Sequence, residues 1–200
     1  MGKALQIFVK MLIDRLFAGL FLALFSPLFL GIAIGIKRED RGPVFFRQDR
    51  LGKNGRVFKI IKFRSMVPDA IHKGSGLHIQ PNDDRITRIG RMLRKTSLDE
   101  LPQLINILKG EMSFIGPRPP VPTFPKRYEE YEEWVLTRFE VLPGMTGLAQ
   151  VSGRNDIDWY ERFRYDIEYV RDWSLLKDIR ILFLTFKTVI KGKGIYKDLA

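Results

Sequence analysis

The sequence predicts a mixed α/β protein, predominantly helical and membrane-associated. Residues 1–36 read as a re-entrant membrane segment, helix–break–helix, and residues 37–200 as a cytoplasmic domain with a small β-hairpin and interfacial amphipathic helices. Three observations carry this reading. An uncharged run from Leu16 to Ile36 is interrupted by Ser26-Pro27, two β-rich stretches flank Asn54-Gly55, and apolar stripes recur at helical spacing further along.

The run from Leu16 to Ile36 would reach roughly 31 Å as a straight helix, about the thickness of a bilayer core. A plain spanning helix is the alternative. Two features favour the re-entrant form. Pro27 removes a backbone hydrogen bond at the middle of the run, and Ser26 offers a hydroxyl to a freed carbonyl. Both flanks are basic: Lys3, Lys10 and Arg15 stand before the run, and residues 37–64 carry ten Lys/Arg against three acids. Both flanks therefore prefer the cytoplasmic side.

Composition narrows the chemistry. The 200 residues include no cysteine, and the two histidines, His72 and His78, lie in a polar, Gly-containing stretch. Thiol catalysis and thiolate metal sites are excluded, and a histidine zinc site or Ser-His triad is disfavoured. A net charge of +11 asks for an anionic partner: nucleic acid, lipid headgroups or a phosphorylated substrate.

The elements follow in order. Val44–Gln48 and Val57–Ser65 are rich in β-branched and aromatic residues, and Asn54-Gly55 between them predicts a tight-turn hairpin. Residues 67–85 read as a loop. Ile86–Lys95 reads as a helix with Arg85, Arg88, Arg91, Arg94 and Lys95 on one side, either a solvated face or one turned to phosphates and headgroups. Leu101, Leu104, Ile105 and Leu108 form an amphipathic stripe that Gly110 ends. Residues 128–140 are acidic and aromatic and predict a surface helix, and Pro143–Gly147 predicts a turn. Ser174–Lys191 has one apolar face and a basic remainder, suited to a membrane interface or to packing on the core.

Two adjacent carboxylates, Asp99 and Glu100, stand where the helix carrying Leu101 should begin. Ser97-Leu-Asp-Glu100 matches a capping box, but Pro102 then falls too deep in the helix. Moving the cap to Leu98 or Asp99 places Pro102 inside the first turn and both carboxylates at the positive helix end. Arg118, between Pro117 and Pro119, is presented on a stiff segment suited to bidentate phosphate recognition. Carboxylates can hold Mg²⁺ shared with substrate phosphates, and aspartate can act as a nucleophile at phosphorus. There is no Walker glycine loop.

The series Lys62–Met66, Leu93–Leu104, Asn106–Pro119 and Pro143–Arg154 resembles, in order and over nearly the whole chain, the bacterial sugar transferase family of monotopic phosphoglycosyl transferases. The resemblance implies transfer of a sugar-1-phosphate from a UDP-sugar to polyprenol (undecaprenyl) phosphate, with release of UMP. Asp99 matches the family's nucleophile and metal-binding aspartate, Glu100 its dyad partner, and Arg118 a phosphate-binding arginine. Lys62, Arg94 and Arg154 match further motif positions, assigned to substrate phosphate. Ser26 and Pro27 match the break of the re-entrant helix. Mg²⁺, anionic membrane lipids and downstream glycosyltransferases are the implied cofactor and partners. The implied location is the bacterial inner membrane, with the catalytic domain on the cytoplasmic face. One departure is visible: Leu142 stands where some small members carry an arginine, which leaves the nucleotide site without that group. The alternative, a non-enzymatic basic membrane-anchored nucleic-acid or lipid binder, explains the charge but not the ordered motifs; no nucleic-acid partner is expected.

Overall fold

The computed structural model describes residues 3–70, 83–153 and 157–191. Two helices open it, α1 (Lys3–Leu24) and α2 (Ser26–Asp40), meeting at a bend of 61°. The cause is local. Pro27 has no N–H for the Ala23 carbonyl four residues back, and the Ser26 hydroxyl donates to that same oxygen at 2.8 Å. No single described helix is long and apolar enough to cross a membrane, and the bent pair passes that test only together. Leu16, Leu20 and Leu24 on α1 and Leu30 on α2 are exposed apolar side chains. The opposite faces pack inward, Ala18 against Ile60, Leu104, Ile107 and Met112, and Ile32 and Ile36 against Phe63 and Leu93.

The predicted hairpin forms from β1 (Phe45–Leu51) and β2 (Val57–Phe63), antiparallel with Phe45 opposite Phe63 and Leu51 opposite Val57. Its turn has positive φ at both Asn54 (55°) and Gly55 (73°), the pairing a tight type I′ turn demands. The first arm runs on to Leu51, beyond the predicted Gln48. Next comes α3 (Arg88–Thr96), capped by Thr87, whose hydroxyl accepts from the Gly90 amide at 2.9 Å. The Glu39 carboxylate of α2 accepts from the Arg88 and Ile89 amides, which fixes α3 to the end of α2. Arg85 is not on the basic helix face; it precedes the helix and forms a buried ion pair with Asp83 at 2.6 Å.

Ser97 does not make the capping box. It ends α3 in the left-handed region (φ 58°), and a 3₁₀ turn over Leu98–Glu100 leads through Leu101 and Pro102 into α4 (Gln103–Lys109). Pro102, lacking an N–H, sits where this helical stretch is only starting, as its place in the sequence requires. Two short parallel strands, β3 (Ser113–Ile115) and β4 (Gly144–Thr146), then pair. Their backbones approach so closely that a Cβ on Gly144 would lie 2.1 Å from the Gly116 nitrogen.

Residues 128–140 are not one surface helix. They fold as a 3₁₀ turn, α5 (Glu133–Leu136) and a second 3₁₀ turn, with Tyr131, Val135 and Phe139 buried against Leu51 and Phe163. The chain closes with α6 (Leu148–Ser152), α7 (Trp159–Arg171) and α8 (Leu175–Lys191). On α8, Ile181 is buried against Tyr169 and Val170 of α7, while Leu176, Ile179, Phe183 and Phe186 are exposed. Packing on the core thus takes one face of this helix and leaves an apolar face exposed. Lys10 of α1 pairs with Asp178 of α8 at 2.6 Å, and Asp178 accepts from the Tyr169 hydroxyl at 2.7 Å. That cluster ties α1 to α7 and α8.

Candidate active site

A cavity of about 1450 Å³ runs between the bent helix pair and the rest of the domain. One end is apolar, walled by Phe17 and Phe21 of α1, by Phe25 at the break, and by Ile179, Leu182 and Phe186 of α8. The other end collects charge: Arg50, Lys62, Arg94, Asp99, Glu100 and Arg118. Five of the sequence-predicted site residues therefore meet in one place, drawn from β2, α3, the 3₁₀ turn and the segment after β3. Arg154 lies outside the described residues, as do His72 and His78. Ser26 and Pro27 bring α1 to its bend beside Phe25, at the apolar end.

Glu100 is the charge-paired member of the dyad. Lys62 Nζ donates to its Oε1 at 2.5 Å, and Arg118 Nη1 stands 3.8 Å from the same oxygen. Asp99 differs: among the described residues no side chain donates a hydrogen bond to it. Burial pushes its carboxyl up to about 6; Glu100 adds to the rise, while Lys62 and Arg94 oppose it. The helix-start position predicted an easily ionised carboxylate, and desolvation outweighs that effect here. Asp99 keeps a largely ionised, weakly solvated carboxylate at neutral pH, which suits a nucleophile. Arg94 is aimed by its Nε bond to the Ser65 hydroxyl at 2.8 Å.

Sequence reasoning missed the supports of Arg118. Arg138 (1 % exposed) and Asp166 (2 % exposed) form a buried ion pair at 2.7 Å. The same Arg138 donates from Nη2 to the Arg118 carbonyl at 2.8 Å. Burial raises the Asp166 carboxyl, with the Arg138 guanidinium opposing. Arg50 of β1 donates to the next carbonyl, Pro119, at 3.0 Å. Arg50 was findable in principle, because Gln48 and Arg50 share one strand face at period two. Leu142, where an arginine was looked for, is not part of the cavity wall; its carbonyl packs on Gly116.

The charged end also suits a hard cation. Among the described residues no group of three metal-ligating side chains exists, so an all-protein cage is absent there. Mg²⁺ is usually held by one or two carboxylates with substrate phosphates completing the shell, and Asp99 beside Glu100 offers that donor set.

The sequence profile of the bacterial sugar transferases matches residues 5–192. The chain belongs to that family. It is 44% identical over 198 residues to the UDP-glucose:undecaprenyl-phosphate glucose-1-phosphate transferase of Xanthomonas campestris pv. campestris, covering 95% of this chain and 40% of that protein. Galactosyl transferase CpsE of Streptococcus agalactiae is 46% identical over 168 residues, 78% of this chain and 37% of the relative. The exopolysaccharide production protein ExoY of Rhizobium meliloti is 42% identical over 175 residues, 80% of this chain and 76% of the relative. The chain thus spans less than half the length of the first two and about three quarters of the third. In family terms, the Lys62–Met66 motif and the nearly contiguous Leu93–Leu104 and Asn106–Pro119 motifs all contribute to the cavity wall.

Proposed function

We propose that the protein transfers a sugar-1-phosphate from a UDP-sugar to polyprenol phosphate, giving a polyprenyl-diphosphate-sugar and UMP. The observation that carries this reading is the two-ended cavity: a carboxylate dyad and the four cations Arg50, Lys62, Arg94 and Arg118 at one end, an aromatic and aliphatic lining at the other. One substrate is a soluble diphosphate and the other a phosphate on a long hydrocarbon, and both must reach one carboxylate. The Xanthomonas relative is named for both UDP-glucose and undecaprenyl phosphate, and a Salmonella typhimurium relative, 45% identical over 171 residues, is named an undecaprenyl-phosphate galactose phosphotransferase.

The mechanism is ping-pong. An Asp99 carboxylate oxygen attacks the sugar-bearing phosphorus, the bond to the bridging oxygen breaks, and UMP leaves with that oxygen and its charge. The phosphosugar stays on Asp99 as an acyl phosphate. A phosphate oxygen of polyprenol phosphate then attacks the same phosphorus and returns the Asp99 carboxylate. Arg118 and Arg94 hold phosphoryl oxygens, and Lys62 fixes Glu100 in place beside the acceptor through their ion pair. Bound by Asp99 with the substrate phosphates, Mg²⁺ would neutralise charge developing on the diphosphate.

The bent α1–α2 pair enters the bilayer and returns to the same side, setting the domain on the cytoplasmic face of the bacterial inner membrane. The 61° bend and the basic flanks support this. Purified protein with a UDP-sugar panel including glucose and galactose, and no acceptor, should release at most one equivalent of UMP. A full-speed Asp99→Asn variant sinks the mechanism. Single cysteines at Gly2 and Arg41 should both label from the cytoplasmic side only.

A further inference from the structure

Arg50 stands at the charged end of the cavity and is absent from the mechanism above. Its two hydrogen bonds go to neutral oxygens, Nη1 to the Pro119 carbonyl at 3.0 Å and Nη2 to Gln48 Oε1 at 2.7 Å. Its Nε is shielded from solvent and has no partner. The neighbouring cations are differently placed: Lys62 is paired with Glu100 and Arg138 with Asp166. No carboxylate of the described residues lies within ion-pair distance of Arg50, and the nearest shared negative charge is Glu100, which Lys62 already holds.

A guanidinium withdrawn from water without a counter-charge is costly, and a second guanidinium beside it makes the cost larger. Burial and the Arg118 charge push Arg50 down to about 10, with Glu100 opposing. The unused N–H groups of its fork are left for an acceptor, since the guanidinium carries five donors and two are spent. A simple brace for Pro119 would need one neutral donor; it would need neither a charge nor a place in the cavity wall. Paired guanidinia on rigid segments match phosphoryl oxygens in geometry and in charge.

We propose that Arg50 is a second phosphoryl-contacting residue, forming with Arg118 a pair of guanidinia that takes the phosphoryl groups of the substrates in this cavity. The inference rests on the transferase reading, which is what brings phosphates here. The shared chemistry is a phosphate oxyanion, and it has two sources: the donor diphosphate and the acceptor monophosphate.

The test uses the full chain in detergent, with Arg50→Gln and Arg50→Lys. Inorganic pyrophosphate binding by calorimetry should weaken about 10- to 100-fold in Arg50→Gln and partly recover in Arg50→Lys. If the donor is held, the KM for UDP-sugar rises by a like factor. If the acceptor is held, the rise is confined to polyprenol phosphate and the acceptor-free UMP burst is unchanged. A folded Arg50→Gln variant with wild-type pyrophosphate affinity and both KM values unchanged, altered only in kcat or thermal midpoint, reduces Arg50 to a brace and overturns the proposal. Should Arg50→Gln fail to fold, unchanged pyrophosphate affinity and KM values in Arg50→Lys overturn it equally. Loss of pyrophosphate binding in Arg50→Gln with no UMP release by wild type from any UDP-sugar keeps the Arg50 assignment and refutes the transferase reading instead.

Discussion

Asp99→Asn should abolish the UMP burst and at the same time stabilise the fold, and the two effects have one cause. In the folded protein the Asp99 carboxyl sits at about 6 against an ordinary 3.8, because burial and Glu100 outweigh Lys62 and Arg94. A carboxylate whose folded pKa is raised binds its proton more tightly folded than unfolded. The fold therefore loses stability as pH rises from the ordinary value through 6 and keeps that loss above it. A shift of about 2 units corresponds to roughly 3 kcal/mol at ~1.36 kcal/mol per unit, an upper bound because Asp99 is only half-buried. Asparagine has nearly the same shape and no charge, so it removes the penalty. For a chain of this size each kcal/mol moves the thermal midpoint by about 2–4 °C, so Asp99→Asn should melt several degrees higher at pH 8. At pH 4, where Asp99 is protonated in the fold, the difference should vanish. Thermal unfolding by intrinsic fluorescence across that range, with UMP release measured on the same samples, reads both effects. A midpoint that drops at pH 8, or a gain equal at pH 4 and pH 8, refutes the claim that Asp99 is held as a strained, functional carboxylate.

The acceptor-free UMP burst of the wild type should fall about tenfold between pH 7 and pH 5, since the nucleophile must be ionised; stopped-flow profiles inflecting near 4 instead would show an ordinary aspartate. Arg138→Met should cost about 3–5 kcal/mol in denaturant unfolding, because it strands Asp166 in the core. The companion variant with both Arg138→Met and Asp166→Leu should recover much of that stability yet still show a raised KM for UDP-sugar, as the Arg118 carbonyl loses its donor. Pro27→Leu, which restores the missing N–H, should relax the 61° bend; a cysteine at Gly2 should then become reachable from the opposite side of the membrane, and unchanged one-sided labelling would show that proline does not set the topology.

Features written in neighbouring residues were legible in the sequence. Asn54-Gly55 dictates two consecutive positive φ values, and Pro27 dictates a broken helix whatever surrounds it. The dyad was legible as a place, because Pro102 limits where a helix can start. Asp99's raised pKa was not, because its burial, and the Lys62 and Arg94 charges that oppose the rise, depend on how separate elements pack. Residues 128–140 were misread for a different reason. Glu129, Glu130, Glu132 and Glu133 dominate the composition, while Tyr131, Val135 and Phe139 recur every four residues and carry the burial. Strands β3 and β4 have three residues each and pair across some thirty residues, so no local pattern announces them.

Arg118 shows how the local and the tertiary parts divide. Pro117 and Pro119 fix their own φ and push the residues before them toward extended conformations, which is all a sequence can say. Proline rings leave the carbonyl directions of Arg118 and Pro119 open, and with them the final aim of the guanidinium. Arg138 takes the first carbonyl from the α7 side and Arg50 takes the second from the hairpin. Those two bonds tie the 3₁₀ turn that follows α5 and strand β1 to the segment that holds Arg118. A site that must grip a phosphoryl group through transfer needs its donors fixed before the substrate arrives. The buried cost of Arg138, with Asp166 beneath it, is therefore intelligible as the anchoring of Arg118, and a variant that keeps the prolines but loses Arg138 should keep the segment's extended shape while losing its aim.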